Sequence, residues 1–160
     1  MSHKLEVSIA RQEMTLWDDE KSLARYHVAT AKNGAGQRSG SECTPLGEHL
    51  IRAKIGQDKP ANTVFVGRRP TGEIFSPELA DQYPKRDWIL TRILWLSGTE
   101  PGLNRLGSVD TMRRYIYIHG APDSHPMGVP SSHGCIKMRN ADIISLFELV
   151  DAGTPVMIHS

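Results

Sequence analysis

Apolar and polar residues alternate from the start of the chain. Leu5, Val7 and Ile9 are apolar, and Glu6 and Ser8 between them are polar. A period of two predicts a half-buried strand, because successive side chains point to opposite faces of a sheet. Met14-Thr15-Leu16-Trp17 predicts a second strand. Asp18-Asp19-Glu20-Lys21 supplies a polar turn, and Ala24–Thr30 predicts a third strand. Together these three predict an antiparallel meander. Lys32–Gly40 reads as a flexible loop, and Thr44-Pro45-Leu46-Gly47 carries the signal of a tight turn. Further strands are predicted at His49–Ile55, Asn62–Val66, Trp88–Leu96 and Arg114–His119. Residues 67–87, rich in Gly, Pro and charge, read as a long, partly ordered excursion of the kind that borders a site. Residues 120–132 read as a loop.

The periodicity changes after residue 139. Asn140 is a good N-cap, and Asp142 places negative charge in the first turn, where the helix dipole favours it. Ile143, Ile144, Phe147, Leu149 and Val150 recur at helical spacing, and Gly153 can close the helix. Pro155–Ile158 is a last strand. The pattern predicts a mainly β domain with one principal helix.

Composition narrows the class. A length of 160 residues suggests one domain over 1–160, large enough to bury a core without disulfide staples. A net charge of +1, with Lys and Arg spread along the chain, argues against a nucleic-acid binder or a membrane-surface protein. Two cysteines, Cys43 and Cys135, do not make a secreted disulfide framework, and two free thiols fit a reducing compartment. The N-terminus shows no signal-peptide h-region, and no apolar run is long enough to span a bilayer. The sequence as written is therefore expected to be cytoplasmic.

Reactive groups gather in the second half. His119 ends a predicted strand, His125 follows in the next loop, and Ser132-His133-Gly134-Cys135 form one run. A thiol with a free pKa of about 8.5 needs a base or a positive neighbour to act as a nucleophile near neutral pH. Histidine is the natural partner. Gly134 removes a side chain where a carbonyl must approach Cys135 and frees backbone N–H groups to face a developing oxyanion. A structural role for these residues is the competing reading, and His133 is open between a catalytic contact and a turn-shaping residue. Ser132 would then bond backbone locally. Cys43 reads as a packing residue. His119, His125, His133 and Cys135 include zinc-ligand types, but their spacing matches no common zinc motif.

His119-Gly120 and Ser132-His133-Gly134-Cys135-Ile136-Lys137-Met138, with the upstream Tyr26–Thr30, Gly40-Ser41 and Thr44–Gly47 segments, resemble the L,D-transpeptidase catalytic domain, or YkuD domain. The resemblance covers most of the chain. It implies a β-sandwich-like fold and no metal or organic cofactor. It implies Cys135 as nucleophile and His119 as general base, oriented by the carbonyl of Gly120. His133, Gly134 and Cys135 would form the oxyanion-binding turn. Ser132, Lys137 and Arg139 are the implied substrate-binding residues. Relatives often carry Arg where this chain has Lys137, so the anionic contact falls either to Lys137 or to Arg139.

The implied substrate is a peptidoglycan tetrapeptide stem, as a muropeptide or a UDP-linked precursor. Cys135 would cleave the bond between the L-centre of the third, diamino acid residue and the terminal D-Ala, forming a thioester. Water as acceptor makes the protein an L,D-carboxypeptidase of murein recycling, the expected activity for a cytoplasmic monomer. A second stem as acceptor makes it an L,D-transpeptidase forming 3→3 cross-links. A non-catalytic peptidoglycan-peptide binding module is the alternative of another class.

Overall fold

The computed structural model describes residues 3–160. The meander forms where the alternation predicts it: β1 (His3–Ser8), β2 (Glu13–Asp18) and β3 (Lys21–Ala29) pair antiparallel in sequence order. β4 (Gly47–Ile55), β5 (Thr63–Val66), β6 (Arg69–Ile74) and β7 (Ile89–Gly98) follow. β8 (Tyr117–Ala121), β9 (Ile136–Arg139) and β10 (Pro155–His159) complete one sheet in the order β4-β10-β1-β2-β3-β9-β8-β7-β5-β6.

β4 also pairs with β7 through Ile51↔Leu96 and Lys54↔Leu94, so the sheet curls back on itself. β5 and β6 branch off β7 beyond that closure. Inside it lies one apolar core: Leu5, Val7, Met14, Leu16, Val28, Ile51, Leu94, Leu96, Ile118, Ile136, Met138 and Val156, sealed by Ile143, Leu146 and Phe147 of α2 (Asn140–Leu149). The sheet halves face each other across this core, and the protein is mainly β with one main helix. Lys54 caps α2 by donating from Nζ to the carbonyls of Phe147 (2.6 Å) and Val150 (2.7 Å), two of the groups a helix end leaves unpaired.

Several local expectations are corrected. Residues 67–87 are well formed, containing β6 and a short helix, α1 (Pro77–Gln82). Ser76 caps α1 by accepting the Leu79 N–H, and Pro77 starts it, a pairing the sequence displays as Ser-Pro-Glu. The strand predicted from Arg114 starts at Tyr117, because residues 111–115 form turns with the Arg114 N–H bonded to Asp110 and Thr111. Arg139 occupies the N-cap of α2, and Asn140 is its first helical residue, its side chain buried in a different network. Gly153 lies beyond the Val150 C-cap, in the turn that leads to β10.

Candidate active site

Parallel pairing of β8 with β9 builds the site. The register sets His119 beside Lys137 and Ile118 beside Ile136. Alternation then sorts the side chains by face. Ile118, Ile136 and Met138 enter the main core, while Tyr117 packs on the other face with Ile93, Trp95 and Cys135. On that outer face lies a cavity of about 370 Å³ whose walls include Arg68, Asp87, Tyr115, Tyr117, His119, Ser132, His133, Cys135 and Lys137. This is within the size range of small-molecule sites. A cavity of about 400 Å³ on the solvent face of β1, β2 and β10 contains Glu6, already satisfied by Trp17 and His159, and no thiol.

Cys135 meets the cavity through its sulfur. Sγ accepts the Tyr117 N–H (3.3 Å) and lies 3.4 Å from the Tyr115 carbonyl, an acceptor for the thiol proton. Protein surrounds the sulfur elsewhere, and this burial pushes the thiol up to about 12; the Tyr117 N–H, Arg114 and Lys137 pull the other way and Asp87 adds to the rise. This burial favours the neutral thiol. His119 is 1% exposed, and its Nδ1 is 2.6 Å from the Gly120 carbonyl. Burial lowers its pKa, with Lys137 acting in the same sense and Gly120 and Asp87 opposing.

Gly134 has φ +129°, a conformation L side chains rarely adopt, and a Cβ there would meet Ile116 Cδ1 at 3.1 Å and the Cys43 carbonyl at 3.2 Å. Its N–H donates to Ser132 Oγ (3.2 Å), and Ser132 Oγ donates to the Cys135 carbonyl (2.5 Å). The Ser132 hydroxyl is thus committed to holding the turn, although the residue lines the cavity. The Gly134 N–H is engaged as well. Among the described residues the His133 and Cys135 N–H groups donate to no protein acceptor, which leaves these two for an oxyanion. The His133 ring is exposed, with Nδ1 3.8 Å from Asp87 Oδ2.

The second substrate expectation divides by burial. Lys137 is 7% exposed and reaches the cavity; Arg139, two residues on, is exposed and lies outside it. Burial lowers the Lys137 pKa, against the attraction of Asp87 and Cys135. His125 is half-buried, its Nδ1 is covered and unpartnered, and burial lowers its pKa with help from Lys137. Among the described residues no group of three or more His, Cys, Asp and Glu side chains is placed to hold a metal ion.

The supporting shell was only partly legible. Thr44, the first residue of the Thr-Pro-x-Gly turn, donates from Oγ1 to the Gly134 carbonyl (2.9 Å) and accepts the Ala31 N–H. That turn therefore props the back of the loop that carries Cys135. Arg114 is half-buried and donates to the carbonyls of Gly36, Gln37 and Cys43 and to Ser41 Oγ. Gly120 is needed because Asn140 Oδ1 and the Leu90 carbonyl occupy the space of a Cβ. Arg68 and Asp87 carried no motif, and only the fold brings them to Cys135.

A model of the L,D-transpeptidase catalytic domain, YkuD, matches residues 2–158. The chain belongs to the YkuD family of L,D-transpeptidase catalytic domains. Members of this family act on the peptide stems of peptidoglycan. Over 107 residues the chain is 33% identical to the probable L,D-transpeptidase YbiS of Escherichia coli K12, a match covering 64% of this chain and 34% of YbiS. L,D-transpeptidase 3 from Mycobacterium tuberculosis superposes with a TM-score of 0.61 at 16% identity, covering 99% of this chain and 61% of that one. An L,D-transpeptidase mutant from Enterococcus faecium gives 0.60 at 16% identity, covering 99% and 50%. These structures share the fold. This YkuD chain spans about a third of YbiS and half to three-fifths of the two solved chains.

Proposed function

We propose that this YkuD protein is a cysteine L,D-carboxypeptidase that removes the terminal D-Ala from peptidoglycan tetrapeptide stems through a Cys135 thioester. The observation that carries the reading is the convergence of Cys135 and His119 on one cavity, with the His133 and Cys135 N–H groups bonded to no protein acceptor among the described residues. His119, protonated at Nδ1 by its bond to Gly120, keeps a lone pair on Nε2. Nε2 takes the thiol proton as Sγ attacks the carbonyl of the diamino acid. The oxyanion falls to the two N–H groups. Collapse breaks the C–N bond, and D-Ala leaves with the proton from His119. Water then attacks the thioester as His119 takes its proton. The tripeptide carboxylate departs and the thiol is restored.

A cavity of about 370 Å³ beside Cys135 accommodates one peptide arm of the donor stem. Cys43 and Cys135 are both free thiols, which suits a reducing cytoplasm and a role in recycling soluble muropeptides or UDP-linked precursors.

The test is to incubate the protein with a disaccharide or UDP-linked tetrapeptide, with and without an added D-amino acid, and to read products by mass. Tripeptide alone is the expected product. Efficient D-amino-acid exchange or dimer formation would establish 3→3 transpeptidation instead. Binding without turnover would mark a peptide-binding module. Cys135→Ala should abolish turnover of either kind.

A further inference from the structure

Arg68 stands at the tip of the β5–β6 hairpin with φ +64°, on the wall of the cavity that holds Cys135. Its guanidinium carbon lies 4.7 Å from the Trp95 ring centroid and 4.8 Å from that of Tyr115. Nη1 donates to Tyr117 Oη at 3.0 Å. Two rings and one phenol therefore hold the cation in place. A guanidinium carries five N–H donors, and this contact uses one. Three ion pairs exist among the described residues, and Arg68 is in none of them. A cation held this firmly in a reactive cavity, without an acidic partner, is preorganised for an anion that arrives from outside.

We propose that Arg68 binds a free carboxylate of the donor tetrapeptide, an assignment that rests on the peptidase reading above. An enzyme that removes one terminal residue must recognise the chain end. The terminal D-Ala carboxylate is one residue from the carbonyl that Cys135 attacks. A planar guanidinium accommodates a carboxylate through two parallel hydrogen bonds, which a lysine cannot do. Lys137 is the other cation of the cavity, but the β8–β9 register seats it next to His119, on the side of the base. Arg68 adjoins Tyr115 and Tyr117, the residues that flank the sulfur. Some diamino acids bring a second carboxylate on the side chain of the third residue, so the same chemistry has two sources within one substrate.

Three substrates separate these sources: the tetrapeptide acid, the same peptide ending in D-alaninamide, and a tetrapeptide whose third residue is lysine, without a side-chain carboxylate. kcat/KM is measured on each for the wild type, Arg68→Gln and Lys137→Gln. Tm checks that the variants fold. The wild type is expected to disfavour one of the two altered peptides by roughly ten- to hundredfold, the size of a lost charge-assisted hydrogen-bond pair. Discrimination against the amide identifies the terminal carboxylate, and discrimination against the lysine peptide identifies the side-chain one. Arg68→Gln should bring that ratio to about unity, with the loss lying in KM for the parent acid. The assignment is overturned if Arg68→Gln keeps the wild-type ratio, if Lys137→Gln removes it instead, or if the wild type treats all three alike. A wild type that leaves the parent tetrapeptide intact refutes the peptidase reading itself, and the carboxylate assignment falls with it.

Discussion

The Nδ1 of His119 donates to the carbonyl of Gly120, its own neighbour, at 2.6 Å. A carbonyl only accepts, so the contact fixes the tautomer and leaves the Nε2 lone pair free to accept a proton. Burial holds the imidazole below the ordinary value of 6.5. The base form then persists into mildly acidic solution. With His119 as the proposed base, activity is expected to be lost only as pH falls through the depressed value. A kcat/KM profile from pH 4 to 9 should show its acid limb centred below 6.5. A limb centred above 7 would contradict this arrangement.

The thiol at about 12 has a counterintuitive consequence. Without substrate, iodoacetamide should label Cys135 more slowly at pH 7 than it labels free cysteine, with the rate rising about tenfold per pH unit as the thiolate forms. Peptide mass mapping distinguishes Cys135 from Cys43. Labelling faster than free cysteine at pH 7 would show a preformed thiolate and a different resting state. Slow labelling alone therefore does not mark an inactive protein.

Asn140 packs against Gly120, its Oδ1 filling the space a Cβ would need. Its Oδ1 accepts from Thr91 Oγ1 (2.6 Å), and its Nδ2 donates to Asn62 Oδ1 (3.0 Å) and Asp123 Oδ1 (3.2 Å). Thr91 is fully buried with φ +77°, strain that the network holds in place. Asn140→Ala takes away the acceptor of the Thr91 hydroxyl proton, while Thr91 Oγ1 still accepts the Asn62 N–H, and it opens space beside Gly120. The expected result is a loss of about 2–3 kcal/mol in urea unfolding, together with a lower kcat at a KM changed less than twofold. Unaltered kcat in the folded variant would show that His119 needs no such support.

Gly134→Ala tests the Ser132–Cys135 turn. The new Cβ would press on Ile116 Cδ1 and the Cys43 carbonyl at a backbone angle alanine avoids. We expect about 1–3 kcal/mol of destabilisation and a larger loss of activity than that destabilisation explains at temperatures well below Tm. Wild-type turnover would show that the turn tolerates a shift.

His49 reports on folding instead of catalysis. It is 2% exposed, with Nδ1 bonded to the Gly47 carbonyl and Nε2 accepting from Thr111 Oγ1, and burial lowers its pKa to about 4. Between pH 6.5 and 4 the unfolded chain therefore binds a proton that the folded chain refuses. Stability is complete above 6.5 and falls as pH drops toward 4, by about 3 kcal/mol in all. Urea midpoints across this range should fall in the wild type and run flatter in His49→Gln, which starts less stable. Parallel curves for the two proteins would assign the pH dependence to other groups.

How much of this was legible in the sequence follows from range. The meander and α2 depend on local periodicity, and they lie where Leu5–Ile9 and Ile143–Val150 indicate. Cys135, His119 and the glycines beside them stand out because their motif is contiguous or nearly so. The Ser76-Pro77 start of α1 was also local and readable, but it sits inside a stretch whose Gly and Pro content suggests a loop. Asn140 deceived because an asparagine before an apolar run is usually a cap, whereas here its amide joins partners from residues 62, 91 and 123. Arg68, Asp87 and Arg114 were invisible for the same reason: their partners are far away in sequence, and only sheet closure brings them together.

The closure of β4 onto β7 also decides where the molecule ends laterally. Every strand but β6 has a neighbour on both sides among the described residues. A free strand edge is a template on which another chain can add itself. β6 reads Arg-Pro-Thr-Gly-Glu-Ile: Pro70 has no N–H to offer, and Arg69 and Glu73 place charge along the rim. The hairpin that carries Arg68 to the cavity is thus also the border of the sheet, and its composition discourages edge-to-edge aggregation there.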